Sequence, residues 1–436
     1  MSTRRDRTHG ADDSIRAAAD GRSGGGPTPA RRGEPRTSGP HGMVRDAARL
    51  RGGPTARVDE TRVQMKICFI SGALPEVSCG VGDYVDALAR ALARLGHEVV
   101  VLTTASPDLR PSSGYRTVPL RTAWSLRDTG RIAAAAQREH PDVLHLQFPG
   151  VGFGRGFGAC FAPWAVRLRG ARPRPLLATT LHEFHRFRLR YRTRLALAVA
   201  ACDLVIAPDP TVLASVARHL EWRRGLDTAM IPLAANVWPA APSSLPNEPL
   251  DRAELVVGYW GFLRQDKGVD LLLEAFAQVQ RVRPARLVLA GDPGPEAEYI
   301  ASISRKAGEL GLGSSIHTTG RLSAERLSQE LQSFDVCVLP FRDGLLKNRG
   351  TYAGAVAHGL YVVTTSRGNR GFDPETNTTL VPPDDRDALV GAILEAPAHP
   401  PNPSPASTSE KAWDEIAVLH LAAYARAAGN HGFALE

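Results

Sequence analysis

From Met65 onward, short apolar runs alternate with amphipathic stretches. "KICFISG" ends on glycine. "YVDALARALARLG" then sets Val85, Leu88, Ala89, Leu92 and Leu95 on one helical stripe, with Asp83 near its start and Gly96 beyond its end. "EVVVLTT", "DVLHLQF", "PLLATTLH" and "DLVIAP" read as further strands, so this half is expected to form a parallel sheet with helices on both faces. "NVWPAAPSSLPNEP", with four prolines between Pro239 and Pro249, breaks the alternation and reads as a linker. The pattern then restarts with "ELVVGYWG", "DLLLEAFAQVQRV", "RLVLAG", a helix through Ile300 to Leu310, "FDVCVLP" and "LYVVTT". Two α/β domains of similar size are therefore predicted, 65–238 and 251–400, joined by the linker 239–250 and facing a cleft. Open parallel sheets bind ligands at the carboxyl ends of their strands, which places the ligand in that cleft. A closing segment, 401–436, carries a helix with Trp413, Ile416, Leu419 and Ala423 on one stripe, expected to pack on one domain or to bridge both.

Composition changes this picture mainly at the start. Residues 1–64 are rich in Arg, Gly, Pro, Ser and Asp and lack the apolar content to compensate for ordering, so a disordered basic tail is predicted. Its 13 arginines and 8 acidic residues supply most of the chain's net charge of +8. The folded part is then nearly balanced, which argues against a nucleic-acid partner. Translation from Met65 and a tethering arm are both open accounts of the tail. The five cysteines form no C-x-x-C pair and mostly lie in apolar runs, which reads as buried reduced thiols in a cytoplasmic protein. No apolar run reaches the length of a membrane span, and the N-terminus has no apolar h-region.

Several stretches carry candidate chemistry. In "GYWGFLRQDKGVDLLLEAF" a loop with Arg264 and Lys267 leads into a helix opening at Gly268-Val269-Asp270, an arrangement suited to an anion. In "CGVGDY", Gly80 and Gly82 allow close backbone approach, either to a ligand or to a packing neighbour. A dinucleotide oxidoreductase would need a glycine at Val85 and an acid after "VVVLTT"; both are missing. His182 and Glu183 end a strand facing the cleft. His182-x-x-His185 lacks the further ligands of a zinc site. Arg186, Arg190 and Arg194 share a helical face, either simply solvated or docking an anionic membrane or acceptor. Asp385-x-Asp387 reads as acids at a helix start, so no metal is expected there.

Taken in order, these stretches resemble the retaining glycosyltransferases of the two-Rossmann-domain (GT-B) architecture, family 4. "SCGVGDYVDALARALARLGHEVVVLT", "HPDVLHLQF", "TTLHEF", "DLVIAP" and "MIPLAANV" are similar to the family's first domain. "GFLRQDKGVDLLLEAF", "LAGD", "TGRLSAERL", "FDVCVLPF" and "AVAHGLYVVTT" are similar to its donor domain, and "AWDEIAVLHLAAYARA" to the helix that crosses back. The resemblance implies a hexosyltransferase that moves a sugar from a nucleotide-diphospho-sugar to an acceptor, such as a lipid-linked or polysaccharide precursor. It further implies retention of configuration without metal or cofactor. It assigns the diphosphate to Lys267 and Arg264, and the donor also to Leu322. Gly80 and Gly82 line the sugar side of the cleft, and His182 lies near the transferred sugar.

Two departures stand out. Phe262 occupies the position where many members carry arginine. The family's two glutamates, with seven residues between them, fall on Leu346 and Gly354. A subset of relatives instead reads Asp-Gly, a short gap, Arg-Gly and Ser or Thr, as do Asp343-Gly344 and Arg349-Gly350-Thr351. In that variant site Arg349, Gly350 and Thr351 hold the donor, and Asp343 either takes over the first glutamate's bonds to sugar hydroxyls or only closes a turn. A degenerate binding or scaffold protein, and an epimerase or phosphorylase on the same architecture, are the alternatives.

Overall fold

The computed structural model describes residues 64–433 except 76–78, 108, 110, 113, 155, 171–172, 185–186, 240–253, 292–293, 295, 347–348 and 397–410. The tail expected over 1–64 (Gln64 apart), nearly all of the linker, and His185, Arg186 and Lys347 lie outside the described residues. The described residues fall in one compact unit.

The first half forms β1 (Lys66–Ile70), β2 (Glu98–Thr104), β3 (Arg116–Leu120), β4 (Val143–Phe148), β5 (Leu176–Leu181), β6 (Leu204–Ala207) and β7 (Asp227–Met230). Between them run α1 (Gly80–Arg94), α2 (Thr129–Arg138), α3 (Gly158–Arg169), α4 (Leu189–Val199) and α5 (Pro210–His219). The strands pair in parallel in the order β3-β2-β1-β4-β5-β6-β7.

The second half forms β8 (Leu255–Trp260), β9 (Ala285–Ala290), β10 (Ile316–Gly320), β11 (Val336–Leu339), β12 (Val362–Thr365), β13 (Gly371–Asp373) and β14 (Thr378–Val381). Its helices are α6 (Val269–Val282), α7 (Ala297–Glu309), α8 (Ala324–Leu331), α9 (Gly350–Ala357) and α10 (Arg386–Leu394). The order is β10-β9-β8-β11-β12-β14-β13, parallel except for β13 at the edge. β4, β5 and β8 are buried at every position, as expected of strands covered on both faces. Among the parallel strands of each sheet the order reverses once, at β1/β4 and at β8/β11. Crevices at the carboxyl ends of those strands are where such sheets take ligands.

A final helix, α11 (Lys411–His431), packs on the first sheet and on α1. Its buried face is Trp413, Ile416, Ala417, His420, Ala423, Tyr424 and Ala427, while Leu419 is 43% exposed. The stripe expected from sequence is thereby corrected. The inner face is centred on His420, which a hydrophobicity pattern assigns to solvent, and Leu419 lies about 100° away on a helix of 3.6 residues per turn. Trp413 Nε1 donates to the Ala235 carbonyl at 2.7 Å and so fixes the segment leading out of the first domain. The halves also meet where the Arg321 guanidinium, after β10, donates to the carbonyl of Pro75, after β1. All five cysteines are buried and unpaired. No described helix is long and apolar enough to cross a membrane.

Candidate active site

Three cations singled out by sequence converge on a carboxylate that was not, Asp266. Arg349 Nη1 and Lys267 Nζ lie 3.5 and 3.6 Å from its Oδ2, and Arg264 Nε lies 3.3 Å from Oδ1. Arg264 also pairs with Glu296 at 3.2 Å. Phe341 gives two of these cations a common surface: the Arg349 guanidinium carbon is 4.6 Å and Lys267 Nζ 5.2 Å from its ring centroid. The Arg342 N–H donates to the Asp266 carbonyl at 3.1 Å, tying the loop after β11 to the loop after β8. Gly268 makes this approach possible. Its φ is +70°, and a Cβ there would lie 2.2 Å from the Pro340 carbonyl oxygen.

Arg349 is 7% exposed and is the N-cap residue of α9, with no side-chain cap. Gly350 follows, its Cβ position 3.7 Å from Asn236 Nδ2 of the segment leaving the first domain. A fixed guanidinium, an ammonium and the first turn of a helix thus share one side of the β8/β11 crevice, a combination that favours an anion. The start of α6, expected from sequence to hold that anion, is differently built. Asp270 occupies its first turn and pairs with Arg342, while Tyr299 Oη donates to Asp270 Oδ1 at 2.9 Å. That helix end already carries its own carboxylate. Thr351 is half-buried, its methyl carbon 3.0 Å from a Cβ position on Gly261. Leu322 is half-buried in the loop between β10 and α8.

Asp343 stands in the turn expected of it, and its carboxylate faces Arg349. Gly344 N–H donates to Phe341 O at 3.0 Å with a φ of +82°, which closes the turn. Its carboxylate also reaches within 3.9 Å of Arg349 Nη2 while 41% exposed. Asp385 caps α10 by accepting from the Ala388 N–H at 3.0 Å, so the D-x-D pair serves a helix start.

On the first sheet the polar groups are buried and hydrogen-bonded to one another. His182 Nε2 lies 3.0 Å from Gln147 Oε1, so this nitrogen carries the proton and donates. His145 is held by the Thr180 hydroxyl at 2.8 Å and the Tyr424 hydroxyl at 2.6 Å, and the Tyr84 hydroxyl meets His420 Nε2 at 3.0 Å. The Tyr84 ring packs edge-on against His182, centroids 4.7 Å apart. Burial, reinforced by the neighbouring His420, pushes the His182 pKa down to about 3; burial brings His420 to about 4 and, with His420 and His182 beside it, His145 well below its ordinary value. All three are neutral imidazoles at neutral pH. Asp83, in the first turn of α1, goes the other way: burial raises it to about 7, partly countered by Arg321. Gly80 faces open space, whereas a Cβ at Gly82 would lie 3.0 Å from the Leu74 carbonyl, so Gly82 seats the loop against the helix.

Asp266, Phe341, Gln147, His145 and His420 were not legible as site residues from sequence. The acid in "RQDKG" was the available signal for the first. The Arg series divides: Arg190 and Arg194 are exposed on α4, Arg194 lies 4.8 Å from the Phe157 ring centroid, and Arg186 lies outside the described residues.

Two Rossmann-like sheets, with a cluster of cations at the switch point of the second, have the GT-B architecture. Residues 254–398 match the profile of the glycosyl transferases group 1, and residues 79–228 match that of glycosyltransferase family 4. The chain belongs to this family, and it is accordingly a glycosyltransferase. It is 24% identical over 408 residues to the glycogen synthase of Mycobacterium tuberculosis, covering 83% of this chain and 94% of that protein. Among solved structures it resembles the sucrose-phosphate synthase of Thermosynechococcus elongatus, with a TM-score of 0.61, 22% identity, and coverage of 83% of this chain and 97% of that one. It also resembles Anabaena HepE in complex with UDP-glucose, with a TM-score of 0.62, 17% identity, and coverage of 82% and 100%.

Proposed function

We propose that the protein transfers a hexose from a nucleotide-diphospho-sugar to an acceptor with retention and without a metal ion. The observation that carries this reading is the convergence of Lys267 and Arg349 on Asp266, beside the uncapped first turn of α9 at the β8/β11 crevice. Cleavage of the anomeric bond leaves charge on the departing diphosphate. Cations fixed in advance stabilise that charge as it develops, with no reorganisation at the moment of reaction. Asp266 holds both cations at one oxygen, so they are in position before the donor arrives. The leaving phosphate takes the acceptor's proton on the face it vacates, which needs no nucleophile from the protein. His182 is held neutral and serves as a fixed hydrogen-bonding wall for the sugar, and Asp343 accepts from sugar hydroxyls at the rim.

The nucleotide is of the UDP type, supported by the UDP-glucose bound in the HepE structure. The acceptor is a lipid-linked or polysaccharide precursor. The exposed Arg190 and Arg194, with Leu189 and Leu197 63% and 53% exposed on the same helix, support docking at an anionic membrane surface. The test is a nucleotide-sugar panel read by thermal shift. The stabilising donor is then assayed for transfer with and without chelator, and the product's anomeric proton is read by NMR. An inverted product excludes retention. Loss of turnover in chelator with rescue by Mn²⁺ excludes the metal-free route.

A further inference from the structure

The open edge of the first sheet carries a concavity away from the β8/β11 crevice. β3 is the outermost strand, and α2 follows it in the chain. One flank of α2 is taken by α3: the Arg169 guanidinium donates to Gln137 Oε1 at 3.4 Å, and a Cβ on Gly130 would lie 3.2 Å from Arg169 Nη2. Arg131, Ala134, Ala135 and Arg138 recur at i, i+3, i+4 and i+7 and form a different flank. Between that flank and the end of β3, at Leu120 and Arg121, lies a groove of about 270 Å³. Small-ligand sites begin at about 300 Å³, so a compact molecule fits it.

Floor and rim differ in chemistry. Leu120, Ala134 and Ala135 are buried or half-buried, whereas Arg121, Arg131 and Arg138 are exposed. None of these three guanidiniums has a hydrogen bond or an ion pair among the described residues. The acids close by in the chain are engaged elsewhere. Asp128 accepts from the Ser125 N–H at 3.0 Å and from its hydroxyl at 2.7 Å. That hydroxyl is the main cause holding the Asp128 carboxyl below its ordinary value, and Arg131 is a lesser one. Glu139 follows Arg138 directly, yet it pairs with Arg116 and lies 4.0 Å from Lys66. Three like charges therefore border one apolar groove, and the folded chain does not pair them. Such a field favours an anion with an apolar part. Arginine's planar fork takes phosphate oxygens two at a time. A phosphate monoester carries about two negative charges at neutral pH, which answers three cations better than a single carboxylate does.

We propose that this groove is a second ligand site, separate from the donor crevice, that holds a phosphate monoester with a small apolar body. The arginines of the rim take the phosphate oxygens, and Leu120, Ala134 and Ala135 receive the apolar part. The crevice at β8/β11 belongs to the other sheet, so both sites can be filled at once. The site stands on its own geometry and does not depend on the nucleotide-sugar reading.

The experiment titrates hexyl phosphate, inorganic phosphate and hexanol into the full chain by calorimetry. Hexyl phosphate should bind saturably, about tenfold or more tighter than inorganic phosphate, because its methylenes leave water; hexanol should not bind. Arg131→Gln should weaken hexyl phosphate about tenfold, as expected of one charge-assisted contact. The triple variant Arg121→Gln, Arg131→Gln, Arg138→Gln should abolish saturable binding. These side chains are exposed, so the variants should melt as the unsubstituted protein does. Ala134→Leu fills the groove and keeps every charge; it should also weaken binding, which diffuse attraction to surface arginines would not show. Lys267→Ala should bind hexyl phosphate undiminished, which separates the groove from the crevice. Flotation with phosphatidylcholine vesicles carrying phosphatidic acid identifies the source. Capture that the triple variant loses assigns the phosphate to a lipid headgroup, and hexyl phosphate binding without capture that depends on these arginines assigns it to a free ester; either result upholds the site. Absence of saturable hexyl phosphate binding, binding no tighter than that of inorganic phosphate, or binding unchanged in the triple variant overturns it.

Discussion

Two polar clusters, one on each sheet, are built in opposite ways. The second sheet concentrates formal charge. Lys267, Arg349 and Arg264 surround Asp266, with Phe341 beneath two of the cations. The cluster between β4, β5 and α11 buries neutral groups: His182, His145 and His420 are bonded to Gln147, Thr180, Tyr84 and Tyr424 and all resist protonation. On the proposed function, the difference follows the chemistry each side would meet. A diphosphate and its growing charge call for fixed cations. A sugar and an acceptor hydroxyl call for directional, uncharged partners that do not compete for the anion. The neutral network also fastens α11 to the sheet, since His420 and Tyr424 belong to that helix. The geometry of the first sheet and the closure of the chain therefore depend on the same hydrogen bonds.

The largest effect should come from breaking the charged side. Lys267→Ala removes a charge-assisted contact of about 1.5–3 kcal/mol to the diphosphate, with a greater loss in the transition state. Binding should fall by roughly tenfold to a hundredfold and turnover further. Arg349→Ala should weaken nucleoside diphosphate and nucleotide sugar together. Calorimetry with UDP checks both, and undiminished affinity in Lys267→Ala would remove that residue from the site. Asp343→Asn should cut turnover while leaving stability nearly intact, because the backbone of the turn makes the Gly344–Phe341 hydrogen bond without the carboxylate. Full activity in that variant would reduce Asp343 to a turn residue.

The neutral side should break with acid. In the unfolded chain the three histidines take up protons near their ordinary value of 6.5. In the folded chain His182 waits until about 3 and His420 until about 4. Between those limits unfolding binds protons, so stability falls as pH drops below about 6.5 and is fully present above it. Melting temperatures from pH 7.5 to 4.5 should show this decline, and His420→Gln should flatten it. A flat profile in the unsubstituted protein would contradict the neutral network.

Asp83 sharpens the comparison because its sign is reversed. Its folded value of about 7 exceeds the ordinary 3.8, so unfolding releases a proton between the two. Its contribution to stability is present below about 4 and is lost as pH rises through 7. Asp83→Asn should therefore raise the melting temperature at pH 8 more than at pH 5. A pH-independent shift would mean that the carboxyl is ordinary.

The alternation of strands and helices was legible because parallel strands covered on both faces read as unbroken apolar runs. The site was legible only where chemistry and local punctuation coincide, as at Lys267-Gly268 and Arg349-Gly350-Thr351. Asp266 was not, because one acid in a charged loop gains meaning only when the loop after β11 returns to it. His420 was missed for a related reason: a polar residue in an apolar helix reads as solvent-facing until Tyr84 and the first sheet surround it.

The smallest effect concerns the surface of the first domain. Arg190 and Arg194 are four residues apart on α4 and share a face, flanked by the exposed Leu189 and Leu197. Each arginine near an anionic bilayer contributes on the order of 1 kcal/mol, and the contribution decays within a Debye length. Arg194 already rests on Phe157, so its guanidinium is held in place and only part of its charge faces outward. Binding to phosphatidylserine vesicles should thus be weak, salt-sensitive and absent on neutral vesicles. Arg190→Gln should reduce it by roughly fivefold, in keeping with a contribution of about 1 kcal/mol, and Arg194→Gln by less, while nucleotide diphosphate affinity stays the same in both. Equal sedimentation with neutral and anionic vesicles would make this face an ordinary solvated one and confine the function of the first domain to the neutral side of the cleft.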